Sequence, residues 1–230
     1  MPATTVSPWN GYWDSLPDGQ LFFPAEGEEA VQNLAAAVPL TPSTAALDFG
    51  CGYGQAARPL AGKVGRLWVW DHSEPMRTFA RRHLAAHANV SEWDPADTAT
   101  TFDLIWVNSV SQYMGELALA ERLTQFAPLL RPGGCVVLSD LIPPAHPFRK
   151  DALSLLWFSL RRGYFLRAYL RTRALARKYE AQKKDAPLFQ PTRECVEGLA
   201  SDAGLSVRWL DRNLTHFRHR RTAILTRAGS

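Results

Sequence analysis

Asp48 and Asp71 each close a short apolar run, and "GCGYG" between them sets glycines at positions 50, 52 and 54. Glycine-rich turns that open a helix let backbone N–H groups reach a ligand, and they serve dinucleotides, phosphates and nucleosides alike. The spacing narrows the choice. A dinucleotide fingerprint G-x-G-x-x-G would place its third glycine at position 55, which is Gln. A carboxylate at position 48, beside the turn, would repel a pyrophosphate and attract a cationic group. Asp71 follows Gly50 by 21 residues, about where an acidic side chain meets a ribose diol through charge-assisted hydrogen bonds. Together the two aspartates describe a nucleoside ligand with a cationic end and no phosphate.

Such a pair needs a scaffold that brings two strand ends together. The runs "AALDFG" (45–50), "GRLWVWD" (65–71), "TFDLIWVNSV" (101–110) and "CVVLSDLI" (135–142) read as buried strands. "LSVRWLD" (205–211) and "RRTAILTR" (220–227) read as two final ones. Helices are expected at 26–38, 55–64, 73–88, 115–130 and 192–204, the third opened by a cap-like Ser73 and Pro75. "RPGG" (131–134) reads as a tight turn. Strands that alternate with helices, each strand nearly continuously apolar, imply a doubly wound α/β fold with a mostly parallel sheet covered on both faces. Ligands of such sheets sit beyond the carboxyl ends of the strands, where the glycine turn falls.

The 230 residues suit one domain with an insertion, and 46% hydrophobic with 21% charged residues describes an ordinary globular chain. No run of about 18 apolar residues exists to span a membrane, and "MPATTVSPWNGYWDS" lacks the pattern of a signal peptide. Cys51, Cys135 and Cys195 are odd in number, far apart and without metal-type spacing. They read as reduced thiols of a cytoplasmic protein with no metal site. Charge is unevenly spread. Between Arg149 and Lys184 there are 11 Lys or Arg against Asp151 and Glu180, a balance of +9 within a net +4, which leaves −5 for the rest.

S-adenosylmethionine (SAM), with an ammonium, a sulfonium and no phosphate, has the ligand chemistry inferred above. The sequence also resembles the class I SAM-dependent methyltransferases. "LDFGCGYGQ" looks like their first motif and "WVWDHSEPM" their second. "FDLIWVNSVSQYM" resembles the fourth-strand motif and "LLRPGGCVVLSD" the entry to the fifth. The resemblance implies a Rossmann-like, seven-stranded sheet, SAM as methyl donor, S-adenosylhomocysteine as product, and no metal. It implies that Asp48, Gly50, Cys51, Gly52 and Gly54 line the methionine end of SAM, and that Asp71 holds the ribose, with His72 and Met76 beside the ribose and adenine. Trp93 and Asp94 would take the adenine edge, by a looser match, and Asn108 and Ser109 would face the sulfonium.

Four segments follow: 1–44, an N-terminal cover and first helix; 45–145, the SAM-binding core; 146–190, a basic helical cap inserted after strand five; and 191–230, the last helix and two strands. His146, just past the fifth strand, and His216, between the last two strands, are the candidate bases, and they tilt the accepting atom toward oxygen over nitrogen. Tyr12 and Trp13, with Phe22 and Phe23, are candidates to fold over the cofactor. Tyr113, Trp157 and Arg161 are candidate acceptor contacts. Leu153, Trp157, Leu160, Tyr164, Ala168, Leu175 and Tyr179 recur at helical spacing as one apolar stripe in the cap. The acceptor is expected to be a small or lipid-linked molecule. Three readings of the basic cap stay open: a solvated face, contact with an anionic acceptor or membrane surface, and, least favoured, nucleic acid. An RNA methyltransferase and a SAM-binding protein without catalysis are the alternatives. Nothing in the sequence bears on oligomeric state.

Overall fold

The structure, a computed structural model, describes residues 8–16 and 23–227. Phe22 lies outside them, as do residues 1–7 of the N-terminal stretch. Continuously apolar runs form the middle of the sheet, because a strand covered on both faces has no wet side. β1 (Ala45–Phe49) is buried along its whole length. It pairs in parallel with β2 (Arg66–Trp70) on one side and β4 (Phe102–Asn108) on the other. β3 (Val90–Glu92) lies outside β2, and β5 (Leu130–Leu141) lies outside β4. β7 (Arg221–Arg227) inserts antiparallel between β5 and β6 (Leu205–Trp209). The order β3-β2-β1-β4-β5-β7-β6 is the expected Rossmann-like, mostly parallel seven-stranded sheet.

Alternate residues of each strand feed opposite layers. Ala46, Leu104, Trp106, Val137 and Ile224 pack with α2 (Pro24–Ala37), α3 (Ala57–Ala61) and α4 (Glu74–Leu84). Their neighbours Leu47, Ile105, Val107, Val136 and Leu225 pack with α5 (Glu116–Phe126) and α8 (Arg193–Asp202). α1 (Asn10–Asp14) lies outside both layers, in a third apolar cluster with Met76, Ile142 and Leu188.

Several expectations are trimmed. The helix expected over 55–64 shrinks to α3, which ends at Gly62. The one expected over 115–130 stops at Phe126 and gives way to a 3₁₀ turn, Ala127–Leu129, around Pro128. Residues 131–134 form a bulge within β5, where Phe102 pairs Leu130 but Leu104 pairs Cys135. Ser73 stands at the N-cap of α4, yet its side chain makes no capping bond.

The region after β5 forms two helices, α6 (Phe148–Arg161) and α7 (Phe165–Asp185), reversed at Gly163. The expected single stripe therefore splits. Leu153, Trp157 and Leu160 face solvent, while Ala168 is buried and Leu175 and Tyr179 pack inward.

Candidate active site

The carboxyl ends of β2, β1, β4 and β5 stand side by side, so the residues that follow them share one cleft of about 580 Å³. That volume suits a drug-sized ligand. At the β1 end the chain turns at Gly50 with φ +80°, and a Cβ there would lie 2.3 Å from Val110 Cγ2. Only glycine fits. Gly27 of α2 carries the other close approach, since a Cβ there would lie 2.1 Å from the Gln55 carbonyl oxygen. The end of β2 fixes the turn: Gly50 and Cys51 donate their N–H groups to the Trp70 carbonyl at 2.7 and 3.0 Å. Gly52 donates to Asp71 Oδ2 and Ser73 to Asp71 Oδ1, each at 2.9 Å.

Asp48 lies buried below this turn, and its Oδ2 has no hydrogen-bond partner among the described residues. Burial, aided by the nearby Asp71 charge, pushes its pKa up to about 7. An orphaned carboxylate that lines a cavity is suited to a cationic ligand. The turn beside it offers backbone rather than side chains at Gly50 and Gly52. The residues present therefore fit SAM. Asp48 would hold the ammonium, Asp71 the ribose, and His72 and Met76 would lie alongside.

The other end of the cleft is built where β4 and β5 finish. Ser109 and Asp140 are non-glycine residues at φ +59° and +68°, and Ser109 Oγ donates to Asp140 Oδ2 at 2.7 Å. Left-handed backbone at such positions is costly and concentrates at functional sites. Asp140 is fully buried and also accepts from Asn213 Nδ2 at 2.6 Å, Thr215 Oγ1 at 2.5 Å and Arg220 Nη1 at 2.9 Å. Burial opposes its ionisation, but Arg220 and the three neutral donors outweigh that and hold the carboxyl below its ordinary range. Arg220 also donates to Asp151 Oδ2 at 2.9 Å, and Asp151 Oδ1 meets His146 Nε2 at 2.9 Å. Glu26, from the start of α2, lines the same end with its pKa pushed up to about 8, by burial first and the Asp140 charge second.

α1, α6 and α7 roof the cleft. Trp9, Tyr12, Trp13, Tyr113 and Tyr179 form one wall, with neighbouring ring centroids 4.9–5.8 Å apart. Asp151, Ala152 and Leu155 of α6 and Thr172, Leu175 and Ala176 of α7 line it as well.

Of the residues singled out from sequence, the structure brings Asp48, Gly50, Cys51, Gly52, Asp71, His72, Met76, Asn108, Ser109, Tyr12, Trp13 and Tyr113 to the cleft. Seven others do not line it. Gly54 packs toward Leu84 of α4. Trp93 is buried against Phe49 and Phe102, and Asp94 accepts from the Ala96 N–H in an exposed turn. Trp157 and Arg161 are exposed on α6. His146 is buried on Asp151. His216 stacks on Phe158 at 4.6 Å and touches Phe217 at 4.0 Å, and burial pushes its pKa down to about 4. Sequence reasoning passed over Asp140, Arg220, Asp151, Glu26 and Trp9. Asp140 carried a legible signal, since it closes the run "VVLSD" as Asp48 closes "AALD".

A Rossmann-like sheet with antiparallel β7 carries a glycine turn beside a carboxylate oxygen with no partner among the described residues, the arrangement for which the sequence resembles the class I SAM-dependent methyltransferases. Residues 46–134 match the family model described as "Methyltransferase domain". The chain is 34% identical over 125 residues to trans-aconitate 2-methyltransferase of Delftia acidovorans, covering 51% of this chain and 46% of that protein. It is 34% identical over 110 residues to malonyl-[acyl-carrier protein] O-methyltransferase of Salmonella typhimurium, covering 46% and 42%. The chain thus spans about half the length of the curated relatives it matches. Magnesium protoporphyrin IX methyltransferase from Synechocystis PCC 6803, crystallised with SAM, superposes with a TM-score of 0.61 at 15% identity, covering 98% of this chain and all of that one. That likeness is one of fold.

Proposed function

We propose that this chain transfers a methyl group from SAM to a small apolar acceptor that enters neutral or cationic, an amine ahead of a hydroxyl. The observation that carries this is the charge of the cleft. Its lining holds seven carboxyl groups, Glu26, Asp48, Asp71, Glu121, Asp140, Asp151 and Glu180, against the cations Arg122, Lys183 and Arg220. Arg220 is bound on both sides by Asp140 and Asp151. A carboxylate acceptor would meet a like-charged surface. Trans-aconitate, the acceptor named for one relative, is a tricarboxylate and fits such a cleft poorly. The aromatic wall suits an ammonium group, which the negative faces of Trp and Tyr rings attract. An amine linked to a lipid suits the same lining.

The preference for oxygen read from the sequence rested on His146 and His216, and neither lines the cleft. Bound SAM supplies a methyl group on a sulfonium, already activated for in-line displacement. The chain's own work is alignment, for which orientation can lower a barrier by roughly 7–11 kcal/mol. Asn108 and Ser109, at the end of β4, line the cleft and would face the sulfonium side. Glu26, with its pKa pushed up to about 8, is mostly protonated at neutral pH and becomes a proton acceptor only as pH rises toward 8.

Calorimetric titration with SAM and S-adenosylhomocysteine, followed by release of S-adenosylhomocysteine from SAM across amine, phenol and carboxylate acceptors, tests the reading. Binding of both nucleosides with turnover on amines is expected. Turnover confined to carboxylates would overturn the acceptor class. Absence of nucleoside binding would overturn the whole reading, and binding without any turnover would favour a SAM-binding protein.

A further inference from the structure

The helical hairpin that roofs the cleft has a second, outward face. Leu153, Trp157 and Leu160 of α6 and Leu166, Tyr169 and Leu170 of α7 are each 40–66% exposed. The spacings 153/157/160 and 166/170 gather each set on one side of its helix. Six large apolar side chains left exposed on one helical hairpin mark a surface that meets something apolar. Residues 149–179 also carry nine Lys or Arg, eight of them exposed, while their one acid, Asp151, is buried beneath Arg220. An acid does reach this segment from α2, where Glu29 pairs Arg162 at 3.4 Å.

We infer that this face docks the protein on an anionic lipid bilayer. The inference stands apart from the choice of acceptor. A second copy of the chain is the weaker occupant, because a two-fold contact sets the same patch against itself and would press arginines on arginines. Nucleic acid would satisfy the arginines but leave the leucines against phosphate and water. A bilayer surface answers both features. Leucines enter the acyl boundary, arginine stems lie along it with their heads at the phosphates, and Trp157 and Tyr169 suit the interfacial zone. The opposite sides of the same helices line the cleft, through Leu155, Thr172 and Leu175. Docking would bring the roof of the cleft against the bilayer, where apolar acceptors concentrate.

Flotation of the full chain with vesicles of phosphatidylcholine alone, or with about 30 mol% phosphatidylglycerol, tests this. Co-flotation with the anionic vesicles, about tenfold or more tighter than with neutral ones and weakened by salt, is expected. L166E/L170E should lose it at least about tenfold while keeping cooperative thermal unfolding. R173E/R177E, which leaves the apolar stripes whole, should lose mainly the preference for anionic lipid. No flotation at low salt, or flotation that neither double variant changes, would overturn the inference. So would the other occupants: a dimer by light scattering that L166E/L170E abolishes, or retention on RNA, each without vesicle binding.

Discussion

Asp48 and Asp140 occupy matching places and have opposite fates. Each closes a buried strand run, each faces the cleft, and each is almost wholly buried. Asp48 leaves Oδ2 without a partner among the described residues and is pushed up to about 7, by burial and then by Asp71. Asp140 has four side-chain donors and stays below its ordinary range, because Arg220 and three neutral groups outweigh the cost of burial. Burial is common to both; partners separate them. A carboxylate that the protein satisfies is suited to the scaffold, and one that it leaves unsatisfied is suited to a ligand.

Breaking the satisfied member should have the largest effect. Asp140→Asn would leave Arg220 buried with one anionic partner, and loss of a member of a buried ion network costs about 3–5 kcal/mol. That is about 10 °C in Tm for a chain of this length, read by calorimetric unfolding at pH 7.5. An unchanged Tm would mean that the network does not hold the β5–β7 end together. Asp48→Asn should do the reverse. The folded-state pKa of Asp48 lies above the unfolded value, so ionising it costs stability as pH rises through about 7. An amide avoids that cost, so the variant should be more stable at pH 8 by on the order of 1–3 kcal/mol. Its affinity for SAM should fall by about 100-fold, through loss of a buried charge partner for the ammonium. Loss of both stability and affinity would show that Asp48 is scaffold like Asp140.

The contrast also marks what a sequence can and cannot show. Buried parallel strands must be apolar throughout, so β1, β4 and β5 announce themselves as runs, and the glycine turn follows from spacing. The Asp140–Arg220–Asp151–His146 chain does not. Its members come from β5, the loop after it, α6 and the β6–β7 loop, and only the antiparallel pairing of β7 on β5 brings residue 220 beside residue 140. Helical periodicity misleads in the cap for a related reason. The count of residues runs on past Gly163, but the chain reverses there, so 153, 157 and 160 point to solvent while 168, 175 and 179 point inward. His146 and His216 had the right residue type near strand ends. Burial against Asp151 and Phe158 sets both outside the cleft lining.

A smaller effect separates the two carboxylates by pH. A cationic ligand binds the ionised form of Asp48, so at pH values below about 7 a proton must leave before SAM binds. The Kd for SAM should therefore be about tenfold weaker at pH 6 than at pH 7.5. Asp48→Asn should flatten that profile, and Asp140, already ionised throughout, should contribute none of it. A wild-type profile that stays flat would remove Asp48 from the binding site.

The smallest expected effect belongs to Asp71, which stands between the two extremes. Each of its oxygens already accepts one backbone N–H, from Gly52 and Ser73, and each keeps a lone pair for a ribose hydroxyl. Asp71→Asn retains one oxygen for Gly52 but loses the charge and turns its amide nitrogen on the Ser73 N–H, so SAM affinity should drop by only about three- to tenfold, with Tm lowered by about 2–6 °C. Adenosine, which has the ribose and lacks the ammonium, distinguishes the roles. It should lose affinity in Asp71→Asn as SAM does, and keep it in Asp48→Asn. If adenosine binds Asp71→Asn as well as it binds the wild type, Asp71 acts through the Gly52 turn alone, and the ribose is held by another part of the cleft.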